Sequence, residues 1–372
     1  MLKHLKLHNF RNHSDFETDL DQTTVFIGPN GVGKSNILES IAILSFCRSF
    51  RNDNKKNLIK IDADYARING DLSLPGSRAK ADEIEMFLQK TPSFIFQVKD
   101  KGVVKKQSEF IGRLRSVIFS PETLEIITGS PRIRRKFLDI MISQSDRDYL
   151  RTLVRYEKIR QERNSLLQRI RSNQASIDEL DYWNIELVRE GKKIIDARVK
   201  TIARLNEHLS ALYSKISGKS DQLDLNYHTN AINNFSDELL AHQRREISSG
   251  HTLIGPHRDD LVFNLNNCNV ANFASRGETR SAVLALKMAE LEFLSDDKKN
   301  QPLLLLDDVF SEFDRSRREH LCDLIEKYQT IITTTEEEYL SRCLVGNAKI
   351  IKLHTTNSPI KQNHQSDDSI NS

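Results

Sequence analysis

Glycine, lysine and serine at fixed spacing can hold a phosphate, and residues 28 to 36 of the chain read GPNGVGKSN. This fits G-x-x-x-x-G-K-[ST], with Gly28, Gly33, Lys34 and Ser35 at the defining places and a strand-like run, Thr23 to Ile27, just before them. Strand, loop and helix in that order are the context in which the motif cradles nucleotide phosphates. Gly28, Gly31 and Gly33 let the backbone turn so that the N–H groups of a loop that also contains Pro29, Asn30, Val32 and Asn36 face inward. The helix expected to start near Lys34 adds its positive end to the same anion site. Lys34 is placed to reach the β- and γ-phosphates and Ser35 to hold Mg²⁺, so ATP and Mg²⁺ are the expected cofactors.

A second set of residues completes such chemistry. Leu303 to Asp308, LLLLDD, reads as a buried parallel strand ending in two carboxylates. Asp307 is expected behind the Mg²⁺ water shell. Asp308 points the other way and is expected to orient or deprotonate the attacking water. Upstream, Ser275 and Glu278 form an S-x-x-E capping box before a helix whose core face is Val283, Leu284, Leu286, the stem of Lys287 and Leu291. Ser275 to Gly277 at that helix start is also an anion site able to take a γ-phosphate. A phosphate loop, then a second anion site more than 240 residues later, then an Asp-Asp strand is the order of an ABC-type ATPase. In that arrangement the second site serves the nucleotide of a partner subunit.

These residues need elements to carry them. The first 27 residues alternate apolar and polar and predict three short strands; 57 to 119 alternate again and predict a small, mostly β region. From Ser130 and Pro131, a plausible N-cap and first helical residue, helix is predicted to about residue 217. Val188, Ile195, Ile202, Leu209 and Ile216 recur every seven residues, with Val199, Leu205 and Leu212 partly between them, a helix-packing seam. Its expected partner is 146 to 171, giving an antiparallel arm of about 40 to 50 Å. The predicted fold class is α/β: an ABC-type P-loop ATPase head with a mostly β N-terminal part and a helical second lobe carrying a short antiparallel arm. The expected division is 1–115 for the phosphate-loop half, 116–250 for the helical lobe and arm, 251–354 for the signature and Asp-Asp half, and 355–372 for a disordered tail.

Composition sets the frame. The chain has 372 residues, 38% hydrophobic, enough for a sizeable core. No apolar run approaches the ~20 residues that span a membrane, and the N-terminus lacks a signal-peptide core, so a cytoplasmic protein without a membrane partner is expected. Cys47, Cys268, Cys322 and Cys343 have no C-x-x-C spacing, which argues for reduced thiols over a disulfide framework or zinc site. The net charge of +3 neither demands nor excludes nucleic acid, so local patches decide. The basic runs at 51–56, 99–106 and 132–136 are candidate phosphate contacts, although such runs are commonly solvated surface. Gly255 to Leu261, GPHRDDL, is expected to be a turn whose Arg258 pairs with a carboxylate, with His257 lacking ligand partners.

NFRNHSDF, FIGPNGVGKSNILESI, SPRIRRKFLD, LIGPHRDDL, ASRGETRSAVLALKMAE and LLLLDDVFSEFD, in this order over residues 1 to 354, resemble the bacterial RecF family of recombination mediators, relatives of the SMC proteins. The resemblance implies a weak DNA-dependent ATPase that dimerises with ATP and binds DNA at single-strand/double-strand junctions. It further implies work with RecO and RecR to load RecA at gaps, in gap repair and replication-fork maintenance. It places Arg11 and Asn12 near the nucleotide, makes Ser275, Gly277 and Glu278 the signature presented in trans, and matches Ser311 to Asp314 to the loop joining two active sites. The signature reads SRGE where transporters have SGGQ, and Thr333 to Thr335 stand where transporters have a switch histidine. A transporter subunit or an SMC-like structural ATPase is the alternative; the first needs a membrane partner and the second much longer arms.

Overall fold

The computed structural model describes residues 1–51, 54–73, 81–231, 234–295, 300–311, 313–335 and 348–354. The disordered tail expected at 355–372 lies outside them.

Two sheets flank one helix. Strands β1 (Leu2–Phe10), β2 (His13–Asp19), β4 (Tyr65–Leu72), β5 (Asp82–Gln89), β6 (Ile95–Asp100) and β7 (Val103–Lys105) form an antiparallel sheet in the order β2-β1-β4-β5-β6-β7. Strands β3 (Thr23–Ile27), β8 (Ser116–Phe119), β12 (Leu303–Asp307), β13 (Thr330–Thr334) and β14 (Ala348–Lys352) form a parallel sheet in the order β14-β3-β13-β12-β8. Between them runs α1 (Lys34–Phe46), whose Ile37, Leu38, Ile41, Ala42, Ile43 and Leu44 are all fully buried. A helix buried this completely needs walls on more than one side, and here both sheets supply them. Leu303 to Leu306 are buried on both faces of β12, worth about 2 kcal/mol per side chain. That burial fixes where the strand's terminal carboxylate emerges.

Helix α2 (Gln107–Phe110) precedes β8, and the helical part follows it with α3 (Glu125–Thr128), α4 (Pro131–Ser145), α5 (Arg147–Arg171), α6 (Leu180–Ser217) and α7 (Phe235–Ser249). Helix α4 opens at Ser130 and Pro131 as predicted, although the Ser130 side chain makes no capping bond. Strand β8 closes the 57–119 region expected to be mostly β; the division at 116 assigns it to the helical lobe, but it pairs in parallel with β12 and so belongs to the ATPase sheet.

Helices α5 and α6 pack against each other. At 1.5 Å per residue they rise about 38 and 57 Å. The seam on α6 is shared, because its C-terminal part leaves the arm and lies on the head. There Leu205 and Arg204 meet Ala289 and Phe293 of α9 (Arg276–Leu294). Asn206 and Ser210 donate to carbonyls of β9 (Leu223–His228), each at 2.9 Å. Strand β9 lies in a three-stranded sheet with β10 (Asp260–Leu265) and β11 (Cys268–Asn269); α8 (Val270–Phe273) leads on to α9, and α10 (Arg315–Lys327) joins β12 to β13. Cys322 on α10 is disulfide-bonded, against the expectation of reduced thiols, since spacing along the chain does not report distance across a fold.

GPHRDDL is a structural hub. His257 donates from Nε2 to the Thr252 carbonyl (3.0 Å) and accepts at Nδ1 from the Tyr156 hydroxyl (2.8 Å); burial lowers its pKa to about 4. Arg258 is exposed, contrary to its expected pairing. The ion pairs run through its neighbours: Asp260 takes Arg134 at 2.7 Å, and buried Asp259 lies 3.7 Å from Arg198. A charge surrounded by water gains little from pairing, so the less exposed Asp259 and Asp260 hold the partners.

Candidate nucleotide site

The phosphate loop leaves the C-terminal end of β3, the side of a parallel sheet where ligands bind. Gly31 and Gly33 have φ of +82° and +107°, backbone positions that side chains strain. Gly33 is also closely confined, because a Cβ there would sit 2.6 Å from Asn12 Oδ1 and His13 Nε2. Helix α1 starts at the next residue, so Lys34 and Ser35 occupy its first turn. The Lys34 ammonium donates to the carbonyls of Gly28 (2.6 Å) and Pro29 (2.9 Å), folded across the loop. Burial lowers its pKa, opposed by the charges of Asp308 and Asp307.

Ser35 and Asp307, 272 residues apart, are joined: Ser35 Oγ donates to Asp307 Oδ1 at 2.8 Å. Register explains the approach. Strand β13 lies between β3 and β12, pairing Thr333 with both Phe26 and Asp307. Thr333 Oγ1 also donates to Asp307 Oδ1 (2.7 Å) and accepts from the Asp308 N–H (3.2 Å). Thr333 is fully buried and grips the two carboxylate residues; sequence reading placed it at the switch-histidine position and missed this role. Burial raises the Asp307 pKa, with the Thr333 and Ser35 hydroxyls acting to lower it. A hydroxyl and a carboxylate side by side next to a phosphate loop fit a hard cation such as Mg²⁺, which takes few protein oxygens and keeps waters and substrate phosphates.

Asp308 adopts φ +52°. Aspartate enters this left-handed region more readily than most residues, and the charge of Asp308, like that of Asp307, acts on Lys34. Its carbonyl accepts from Ser311 Oγ at 2.7 Å, closing the start of the Ser311 to Asp314 loop. Glu312 lies outside the described residues.

Asn12 reaches the loop, donating to the Val32 carbonyl (3.0 Å) and accepting from Asn36 Nδ2 (2.8 Å). Arg11 is used differently: it forms a two-pronged pair with Glu39 of α1, at 2.8 and 2.6 Å, and donates to the Asn57 carbonyl. Glu39 is fully buried, and Ser49 Oγ donates to it as well. Removing Arg11 leaves that carboxylate without its counter-charge, which costs about 3 to 5 kcal/mol. Arg11→Ala is therefore expected to lower the thermal midpoint sharply, and Arg11→Met with Glu39→Leu to recover most of the loss. An unchanged midpoint in Arg11→Ala would show that Glu39 does not depend on it.

The signature residues stand elsewhere on the surface. Ser275 is the N-cap of α9 and closes a capping box: its N–H and Oγ donate to Glu278 Oε2 at 2.9 and 2.8 Å, and Glu278 N–H donates to Ser275 Oγ at 3.3 Å. The Ser275 amide and hydroxyl hold the Glu278 carboxyl below its ordinary pKa. Ser275 is exposed, and its carbonyl accepts from the Thr279 hydroxyl at 3.0 Å within the same first turn. Arg317 donates to the Gly277 carbonyl and to Ser281 Oγ, each at 2.9 Å, and to Asp314, the N-cap of α10. It ties the Ser311 to Asp314 loop to the signature helix. An arginine three residues after an N-cap aspartate was the available signal for it.

A family model described as the RecF/RecN/SMC N-terminal domain matches residues 1–361. DNA replication and repair protein RecF of Clostridium tetani is 36% identical over 364 residues, covering 95% of this chain and 97% of that protein. The chain belongs to the RecF family. RecF of Bacillus mycoides is 34% identical over 383 residues, covering 96% and 97% of the two chains. A solved structure of the recombination mediator RecF with ATP, in the RecFOR pathway, superimposes with TM-score 0.85 at 31% identity, covering 95% of this chain and 97% of that one. The α/β head with its helical lobe is thus the RecF architecture, and the function is that of a RecF-type repair ATPase. No helix among the described residues is long and apolar enough to cross a membrane.

Proposed function

We propose that the chain is an ATP-driven homodimeric recombination mediator that binds DNA at single-strand/double-strand junctions. In this reading it hydrolyses ATP weakly, in a DNA-dependent way, and works in the cytoplasm with RecO and RecR to help load RecA at gaps. The backbone of Gly28 to Asn36 cradles the phosphates, Lys34 neutralises their charge, and Arg11 and Asn12 lie beside the nucleotide. Ser35 and Asp307 would hold Mg²⁺, which when bound offsets the negative charge of the β- and γ-phosphates. Asp308 orients the attacking water. Ser275, Gly277 and Glu278 come from the second copy.

The observation that carries the reading is the separation of the two halves. The loop and its carboxylates are assembled within one chain, with Ser35 and Asp307 2.8 Å apart, while Ser275 is exposed with its cap bonded to itself. A helix N-terminus so placed is free to meet the phosphate of another subunit. Steady-state ATP turnover with and without gapped DNA tests the activity. Turnover is expected to rise with the DNA; a rate indifferent to gapped, duplex and single-stranded DNA alike would contradict the assignment.

A further inference from the structure

Where the head meets the base of the arm there is a cavity of about 390 Å³, and no residue of the phosphate loop or the Asp-Asp strand lines it. Its wall carries six cationic side chains, Arg48, Lys55, Arg132, Arg135, Lys136 and Arg198, against two carboxylates, Asp139 and Glu157. Both carboxylates are engaged. Asp139 pairs with Arg198 at 2.8 Å and accepts from the Tyr149 hydroxyl at 2.5 Å, and Glu157 pairs with Arg160 at 2.6 Å.

The positive groups converge from three elements. Arg48 and Lys55 follow α1, Arg198 comes from the middle of α6, and Arg132, Arg135 and Lys136 share one face of the first turns of α4. The positive end of α4 adds to the same field. Arg135 donates to the Asp259 carbonyl, and the Lys55 ammonium lies 3.5 Å from the centroid of Phe96; neither makes an ion pair among the described residues. Burial lowers the pKa of Lys55, and Arg48 adds to the effect; burial and then Arg198 do the same to Arg135. Like charges gathered in a partly desolvated wall repel one another, and a bound anion relieves that repulsion. Guanidinium forks match phosphate oxygens in particular.

We propose that this cavity is a second phosphate-binding site, separate from the phosphate loop, that takes the phosphodiester backbone of a nucleic-acid strand or a free polyphosphate of the same chemistry. The nucleic-acid source rests on the DNA-binding reading above; the polyphosphate source does not.

The test uses Arg48→Ala/Lys55→Ala in the full chain, with Arg48→Lys/Lys55→Arg as the charge-preserving control and thermal midpoints to verify folding. Binding to gapped duplex and single-stranded DNA is followed by fluorescence anisotropy over a salt series. Tripolyphosphate binding is followed by calorimetry in a Lys34→Ala background, where the phosphate loop is disabled. The double alanine variant is expected to bind DNA at least about tenfold more weakly near 0.1 M salt, with the slope of log K against log salt shallower by about two. The charge-preserving control is expected to bind as the parent does. Loss confined to tripolyphosphate assigns the site to a free polyphosphate. Unchanged affinity for both ligands overturns the proposal. If the parent protein binds no DNA, the DNA-binding reading fails and the tripolyphosphate arm alone decides the cavity.

Discussion

Mixing Lys34→Ala protein with Ser275→Arg protein is expected to restore ATP hydrolysis that neither shows alone. Lys34 folds its ammonium onto the loop carbonyls, and loss of such a preorganised charge lowers turnover by about 100-fold or more. Ser275→Arg removes a capping hydroxyl, a local loss of about 1 kcal/mol that the fold survives. It also places a long side chain over the exposed helix start. In a symmetric dimer whose sites each combine one subunit's loop with the other's signature, a mixed pair has one site with both lesions and one with neither. Random mixing at equal amounts makes about half the dimers mixed, so roughly a quarter of all sites are intact if the sites act independently. Coupling between sites can mask regained turnover, so ATP-dependent dimerisation is read in the same samples. Two variants that dimerise but regain neither hydrolysis nor ATP binding on mixing would remove Ser275 from the partner's site. Full activity of Ser275→Arg alone would leave the capping box as the serine's whole role.

The residues that carry this argument were legible because each lies in a contiguous stretch with its own local physics. The phosphate loop needs glycines at positive φ, and Gly31 and Gly33 have them. The capping box needs a serine and a glutamate three residues apart, and α9 begins at that place. Four leucines before Asp307 need burial on both faces, which only a central parallel strand provides. What was not legible depends on partners distant in the chain. Thr333 grips Asp307 because β13 lies between β3 and β12, an order no single strand announces. Strand β8 ends the region 57–119 read as mostly β, but its place in the ATPase sheet depends on pairing with β12, far along the chain. The heptad seam of α6 is buried at Ile195, Ile202, Leu209 and Ile216, whereas Val199, read into it, is exposed; periodicity does not name the partner, and the C-terminal part of the seam faces α9 and β9 as well as the arm. The resemblance places Arg11 near the nucleotide, but its pairing with buried Glu39 could be seen only once α1 was placed against β1.

Asp308→Asn is expected to lower hydrolysis by about 100-fold or more, the usual contribution of a group that activates water, while ATP binding persists. The substitution is chosen for its backbone. Asparagine adopts the left-handed region as readily as aspartate, so φ +52° and the amide bonds to Thr333 are kept, whereas the carboxylate is lost. Nothing at Ser35 and Asp307 is touched, so their hydrogen bond stays in place. Retained wild-type turnover would take Asp308 out of the chemistry.

The same variant gives the most direct measurement of the central claim, that ATP closes two copies of this chain on each other. With hydrolysis blocked and ATP and Mg²⁺ saturating, light scattering on Asp308→Asn is expected to find a particle of twice the 42.9 kDa chain mass, reverting to the single chain when nucleotide is removed. A particle of 42.9 kDa at saturating ATP, with nucleotide shown to be bound, would contradict the account.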